Sequence, residues 1–280
     1  MLCRKCGVIM KDDWGQAYQY HSTCWPDEEP LPGFDGMTPK DIEMRDDLID
    51  IVKWKYNNAT RSLQTALGCS EVGHPCDRRV GYKMAGIAHA NHNADPWPAV
   101  VGTAIHTWME TAVNDYQAAH SLKRWVTELE VHPSPLVKGH TDLYDRDRKA
   151  VLDWKFPSPD NLKGMRKNGP SDQYMIQVHL YGLGHVRAGR EVKRVGIISL
   201  GRQGWLRDLY VHTVPFDQAV AEQALERVYA LGRKLNEIDI LSHPELWDDV
   251  EAKPDKHLCT FCPWFVRNAL TADDKGCPGS

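Results

Sequence analysis

Apolar and polar residues alternate along Val137 to Tyr144 and again along Lys149 to Phe156, with the charged turn Asp145-Arg146-Asp147-Arg148 between them. A period of two predicts two short paired strands, because successive side chains on a strand point to opposite faces. Asp153 and Lys155 then share one face, while Leu152, Trp154 and Phe156 share the other. Asp142, near the end of the first strand, converges on the same place. A strand-like run over residues 124–132 precedes the pair and completes a three-strand meander; its Glu128 and Glu130 are candidate acids at the margin of the site, with no role assigned.

Elsewhere the period lengthens to that of a helix. Thr38 caps one over 38–56, with Pro39 in its first turn and an apolar stripe through Ile42, Leu48, Ile49, Val52 and Tyr56. A second covers 99–119, where Gly102, His106, Glu110 and Val113 share a face. A third covers 172–189 and sets Gln177 and Tyr181 four apart on one side. A fourth, over 216–239, is a packing helix with no chemistry assigned. Two more strands are expected at 193–201 and 206–214. The stretch PSPDNLKGMRKNGPS after Phe156 reads as a loop, whose Lys163, Arg166 and Lys167 form a phosphate-contacting flap.

Composition narrows the class. With 280 residues, 42% hydrophobic and 26% charged, the chain is an ordinary globular protein with room for a sizeable core. No run of 18 apolar residues predicts a membrane span, and MLCRKCGV is not an export signal. The net charge of −4 excludes an overall basic field, so any contact with nucleic acid comes from a local patch.

Eight cysteines in a chain without an export signal point to metal rather than disulfides. Cys3 and Cys6 form CxxC, and His21 and Cys24 form HxxC, a tetrahedral zinc pattern within residues 1–25. Metal would supply the folding energy of so small a segment. Residues 26–37, rich in Pro, Gly and acid, read as a linker to a large domain at 38–280. Five cysteines remain: Cys69, Cys76, Cys259, Cys262 and Cys277. Four of them could clasp one cluster joining the two ends of the large domain. Thiolates without histidine suit an iron–sulfur cluster or zinc.

His106 on a helix, GHTD ending at Asp142, DWK at Asp153–Lys155 and QVHLY from Gln177 to Tyr181 resemble, in order, the motifs of RecB-like nucleases of the PD-(D/E)xK superfamily. CDRRVGY after Cys76 and the C-terminal CTFCPW resemble the cysteine signature of the CRISPR-associated iron–sulfur exonucleases. The resemblance covers roughly residues 67–277 and implies an α/β, restriction-endonuclease-like core. That core is a mixed sheet flanked by helices, under a helical, cysteine-clasped cover. It implies His106, Asp142, Asp153 and the Trp154 carbonyl as ligands of Mg²⁺ or Mn²⁺. Lys155 becomes the catalytic lysine, Gln177 and Tyr181 sit on the DNA strand and steady that lysine, and Cys76, Cys259, Cys262 and Cys277 hold a [4Fe–4S] cluster. Cys277 lies farther from Cys262 than the family pattern has it, with Cys69 as the alternative. The zinc segment falls outside the family pattern. The implied activity is metal-dependent exonucleolytic hydrolysis of DNA, at single-stranded or duplex ends, in the cytoplasm of a bacterium or from a phage. Any unwinding would come from a helicase or recombination partner. The competing reading is a non-catalytic DNA-end binding or adaptor module that docks a partner through the zinc segment.

Overall fold

The computed structural model describes residues 36–58, 67–91 and 95–279. The chain forms two compact units, residues 1–64 and 65–280. In the first, α1 (Pro39–Asn57) starts where its cap predicts. The Thr38 backbone N–H donates to Asp41 Oδ2 (2.9 Å) and the Asp41 N–H donates back to Thr38 Oγ1 (3.3 Å), a reciprocal capping box. No residue of α1 is buried. Cys3, Cys6, His21 and Cys24, the expected zinc ligands, lie outside the described residues.

The second unit begins with β1 (Leu67–Gly68), α2 (Cys69–Val72), α3 (Asp77–Met84) and α4 (Trp97–Ala119). The meander follows as β2 (Trp125–Ser134), β3 (Val137–Asp145) and β4 (Ala150–Lys155). After it come α5 (Pro159–Asn168), α6 (Asp172–Arg187), β5 (Arg194–Ser199), β6 (Tyr210–Pro215), α7 (Gln218–Glu237) and the short α8 (Lys256–Thr260). The strands lie in the order β2-β3-β4-β5-β6, with β1 pairing parallel to the start of β3. The β4–β5 pair is parallel and the β2–β3, β3–β4 and β5–β6 pairs are antiparallel, so the sheet is mixed. The parallel pair requires a crossover, which α5 and α6 supply.

Helices flank both faces. Val131, Tyr144, Val151, Val195 and Ile197 pack under α6 and α7, against residues such as Val178, Leu180, Leu225 and Val228. On the opposite face Leu143, Trp154 and Ile198 pack with Leu152, Phe156 and the α4 residues Met109 and Val113. The alternation expected for Leu152, Trp154 and Phe156 is thus the one that forms. Two glycines let α6 approach closely: a Cβ on Gly184 would stand 2.8 Å from Val131 Cβ, and one on Gly182 would stand 2.7 Å from the Phe216 ring.

Two expectations are corrected. The segment read as a loop after Phe156 contains the helix α5. Ser158 caps it, accepting from the Asn161 N–H (3.4 Å), Pro159 occupies its first turn, and Leu162 and Met165 are buried, with Met165 in the main core. Pro and Gly flank a helix here; they do not break one. The strand expected from residue 206 starts at Tyr210, because residues 206–208 form a 3₁₀ turn tied by Trp205 N–H to Asp208 Oδ2 (3.3 Å).

Candidate active site

Asp153 and Lys155 point from β4 to the face covered by α6. Asp153 is buried, and its Oδ2 has the Lys155 ammonium as ion partner but no hydrogen bond. From α6, the buried Gln177 amide joins the group together. Its Oε1 accepts from Lys155 Nζ (3.1 Å), and its Nε2 donates to Asp153 Oδ1 (3.2 Å) and Tyr181 Oη (3.0 Å). Tyr181 sits one turn after Gln177, on the same side of the helix, as the spacing predicts. Its ring needs the bare backbone of Gly139, where a Cβ would stand 2.7 Å from Tyr181 Cε1. Sequence reading missed Tyr174, whose ring lies 4.9 Å beneath Lys155 Nζ, a cation–π contact. The signal was there: Tyr174 is three residues before Gln177 on the same helix.

Asp142 reaches the site through an irregularity in β3. Thr141 Oγ1 lies 3.1 Å from His185 Nε2, and the Tyr144 ring also packs on His185 with centroids 4.6 Å apart. Residues three apart on a regular strand face opposite ways, so the alternation breaks between them. Opposite the break, Glu128 adopts φ +47°. Asp142 Oδ2 consequently accepts from the Trp154 N–H (2.6 Å) and lies 3.3 Å from His106 Nδ1 on α4. The His106 ring is held edge-on by Phe156, centroids 5.3 Å apart.

The charges feel one another. Burial, with the Asp142 carboxylate nearby, pushes the Asp153 pKa up to about 6 against the pull of Lys155. Burial alone would lower both Lys155 and His106; the adjacent carboxylates outweigh it and leave both above their ordinary values. Burial, aided by Asp142 and Glu110, also raises Glu128. Asp153, Glu128, Lys155 and His106 are therefore drawn toward their proton-bound forms, the two acids chiefly by burial and the two bases by the carboxylates beside them. Carboxylate oxygens and one imidazole nitrogen, short of positive charge, fit a hard divalent cation. Glu130 instead lies at the surface beside His132 (3.0 Å) and His140 (3.6 Å). Lys163, Arg166 and Lys167 are exposed on α5, which follows directly from Lys155.

A second constellation lies toward the C-terminus. Cys76, Cys259, Cys262 and Cys277 line one cavity of about 20 Å³ with Arg79, Tyr82 and Lys253. Cys76 Sγ accepts from the Lys253 N–H (3.5 Å), and Cys277 Sγ accepts from the Gly279 N–H (3.4 Å) and from Arg78 Nη1 (3.6 Å). Cys69 stands elsewhere, buried against Gly139 beside the carboxylate site. The α3 helix is stitched to the C-terminal segment: Tyr82 Oη donates to the Asp273 (2.9 Å) and Gly276 (2.8 Å) carbonyls, and Arg78 reaches those of Val250 (3.1 Å) and Asp248 (3.0 Å). Among the described residues, no three His, Cys, Asp or Glu side chains close tightly enough to hold a metal ion as they stand. Among them, also, no helix is long and apolar enough to cross a membrane.

No family model and no curated protein matches the chain. Among solved structures it is similar to an alkaline exonuclease from Laribacter hongkongensis, at 14% identity and a TM-score of 0.45, over 64% of this chain and 92% of that one. The same exonuclease in complex with dAMP gives 17% identity and a TM-score of 0.44, over 63% and 91%. A phage-related exonuclease from Haemophilus somnus 129PT gives 13% identity and a TM-score of 0.41, over 62% and 94%. No family membership follows from these likenesses.

Proposed function

We propose that this chain is a Mg²⁺- or Mn²⁺-dependent deoxyribonuclease that hydrolyses phosphodiester bonds at DNA ends. One observation carries the reading: Asp142, Asp153, Lys155, Gln177, Tyr181 and His106 form one linked network, with two carboxylates and a lysine at its centre. Asp142, Asp153 and His106, with the Trp154 carbonyl, would hold the divalent ion. When bound, that ion supplies Lewis-acid chemistry at the phosphodiester. Lys155 keeps its proton at neutral pH, because the carboxylates raise its pKa. Its role is therefore electrostatic: it orients the attacking water by hydrogen bonding and meets the negative charge that grows on the phosphoryl group. Gln177 and Tyr174 fix the ammonium on two sides, so little reorganisation remains for the reaction step.

The cavity lined by Cys76, Cys259, Cys262 and Cys277 would hold a [4Fe–4S] cluster. Four thiols, with N–H donors already directed at two of the sulfurs, suit that group. Its role would be structural, cross-linking α3 to the C-terminal segment. Residues 1–25 would bind zinc in a structural role.

The test compares wild type with Lys155→Ala on end-labelled linear single-stranded DNA and a matched circle, in Mg²⁺ or Mn²⁺, after anaerobic purification. Wild type degrades the linear strand and spares the circle, and Lys155→Ala loses at least about 10²-fold in rate while staying folded. A folded Lys155→Ala protein with full activity refutes the site. Metal-loaded wild type that binds DNA without turnover supports the binding-module reading instead.

A further inference from the structure

We infer that the turn after β5 carries a single-strand-binding ledge, with Trp205 as the base-stacking platform and Arg207 and Arg202 as phosphate contacts. The inference rests on the nuclease reading for its substrate. Three observations bring it together.

Trp205 is held in place yet left bare. Its backbone N–H donates to Asp208 Oδ2 (3.3 Å) and its carbonyl accepts from the Asp208 N–H (2.8 Å), so the turn is fixed at both ends. The indole is nevertheless 68% exposed and neighbouring Leu206 is 77% exposed. The Arg207 guanidinium lies 5.3 Å from the indole centroid, a cation stacked beside an aromatic face.

The ledge stands at the reacting end of the sheet. β4 and β5 run parallel with Lys155 opposite Ser199, so the segments that follow them leave the same edge. The Leu200 N–H donates to the Lys155 carbonyl (3.1 Å) and the Arg202 N–H to that of Pro157 (3.1 Å). Arg166 of α5 donates to the Asp208 carbonyl, tying the helix to the turn.

The surface is cationic within an acidic chain. Residues 157–168 and 200–208 contain Lys163, Arg166, Lys167, Arg202 and Arg207 against Asp160 and Asp208, five cations to two acids, while the whole chain has a net charge of −4. All five cations are exposed, and none is ion-paired with an acid among the described residues. An exposed aromatic plane, with exposed cations that no acid neutralises on the same two segments, is the chemistry that holds an unpaired strand: bases stack, and phosphates are neutralised. A blunt duplex keeps its bases stacked inside and offers the indole only the faces of its terminal pairs.

The experiment measures binding of fluorescent oligo(dT) by anisotropy, using full-length Lys155→Ala protein in EDTA so that turnover plays no part. Trp205→Ala weakens binding about tenfold, Trp205→Phe restores most of it, and a blunt duplex of equal length is unaffected. Arg207→Ala lowers the slope of log affinity against log salt by about 0.7, the loss of one single-strand phosphate contact. In the Lys155 background of an active enzyme, Trp205→Ala raises KM on single strands and leaves kcat near wild type. Wild-type affinity in Trp205→Ala, or no single-strand binding by the parent protein, overturns the ledge. The two readings fail separately. Metal-dependent cleavage that ignores Trp205 removes the ledge and leaves the nuclease. Trp205-dependent binding by a wild type inert in both metals removes the nuclease and leaves the ledge.

Discussion

Gln177 is the residue whose removal most directly tests whether the site is pre-built. Its amide receives a hydrogen bond from the Lys155 ammonium (3.1 Å) and gives one each to the Asp153 carboxylate (3.2 Å) and the Tyr181 hydroxyl (3.0 Å). Bonds to charged groups contribute about 1.5–3 kcal/mol and neutral ones about 0.5–1.5 kcal/mol, and buried partners left unsatisfied lose more than that net value. Water entering the vacated space restores part of it. Gln177→Ala should therefore lose about 3 kcal/mol of stability in urea titrations run in EDTA. Lys155 then keeps only the Asp153 pairing and the Tyr174 ring, and leans toward the carboxylate. A displacement of this order costs about 10²-fold in kcat, with KM little changed, because the buried amide does not meet substrate. Single-turnover cleavage of a linear oligonucleotide reads the rate. Gln177→Glu keeps the shape but turns the Nε2 donor into a third carboxylate oxygen facing Asp153. Its stability deficit should grow as pH rises, since the new carboxyl has a raised pKa when folded and pays for ionising there. A Gln177→Ala protein with wild-type kcat would refute the claim that this amide positions the lysine.

Three further outcomes follow from the same packing. Cys76→Ser should abolish the iron content and visible absorbance of anaerobically purified protein, while Cys69→Ser, whose thiol lies away from the cavity, should retain both; metal analysis decides, and iron retained in Cys76→Ser refutes the assignment. Burial, with Arg190 nearby, lowers His185 to about 4, so its stabilising contribution is full above the unfolded value of about 6.5 and is lost as pH falls toward 4, by up to roughly 3 kcal/mol. His185→Phe should flatten the stability profile across that window in urea titrations, at a cost of about 1 kcal/mol at pH 8 for the bond lost by Thr141. Trp247 is fully buried against Tyr82, ring centroids 4.2 Å apart, so Trp247→Ala should lose about 3–5 kcal/mol; Trp247→Phe should lose far less, because the indole N–H has no partner in the core.

Side-chain periodicity made much of this fold legible. The β4 alternation sorts Asp153 and Lys155 from Trp154 and Phe156 without any tertiary information, because one face of the strand meets charge and the other meets α4. The spacing of Gln177 and Tyr181 likewise becomes contact once any helix forms there. What escaped was set by competition between local signals. Ser158-Pro159-Asp160 starts a helix, yet the nearby Gly164 and Gly169-Pro170 read as breakers; burial of Leu162 and Met165 decides for the helix. Trp205 was passed over between two expected strands, because the Asp208 that closes its turn was read as part of the second one, and periodicity cannot see such a closure.

Asp142 marks the deeper limit of that method. Strict alternation would count it with His140 and Tyr144, and Tyr144 faces His185 under α6. The strand instead breaks its alternation where Glu128, across the ladder, takes a left-handed conformation that non-glycine residues rarely adopt. The break lets one carboxylate oxygen take the Trp154 N–H and face His106 on α4, joining the helix to the strand pair. Such a departure has an energetic cost, and it persists because the surrounding ladder over-determines it. Burial, with this second carboxylate nearby, raises the Asp153 pKa to about 6. Two carboxylates, with lysine held alongside by a buried amide, form an arrangement that a bound cation would relieve, as the proposed hydrolysis of an anionic ester asks.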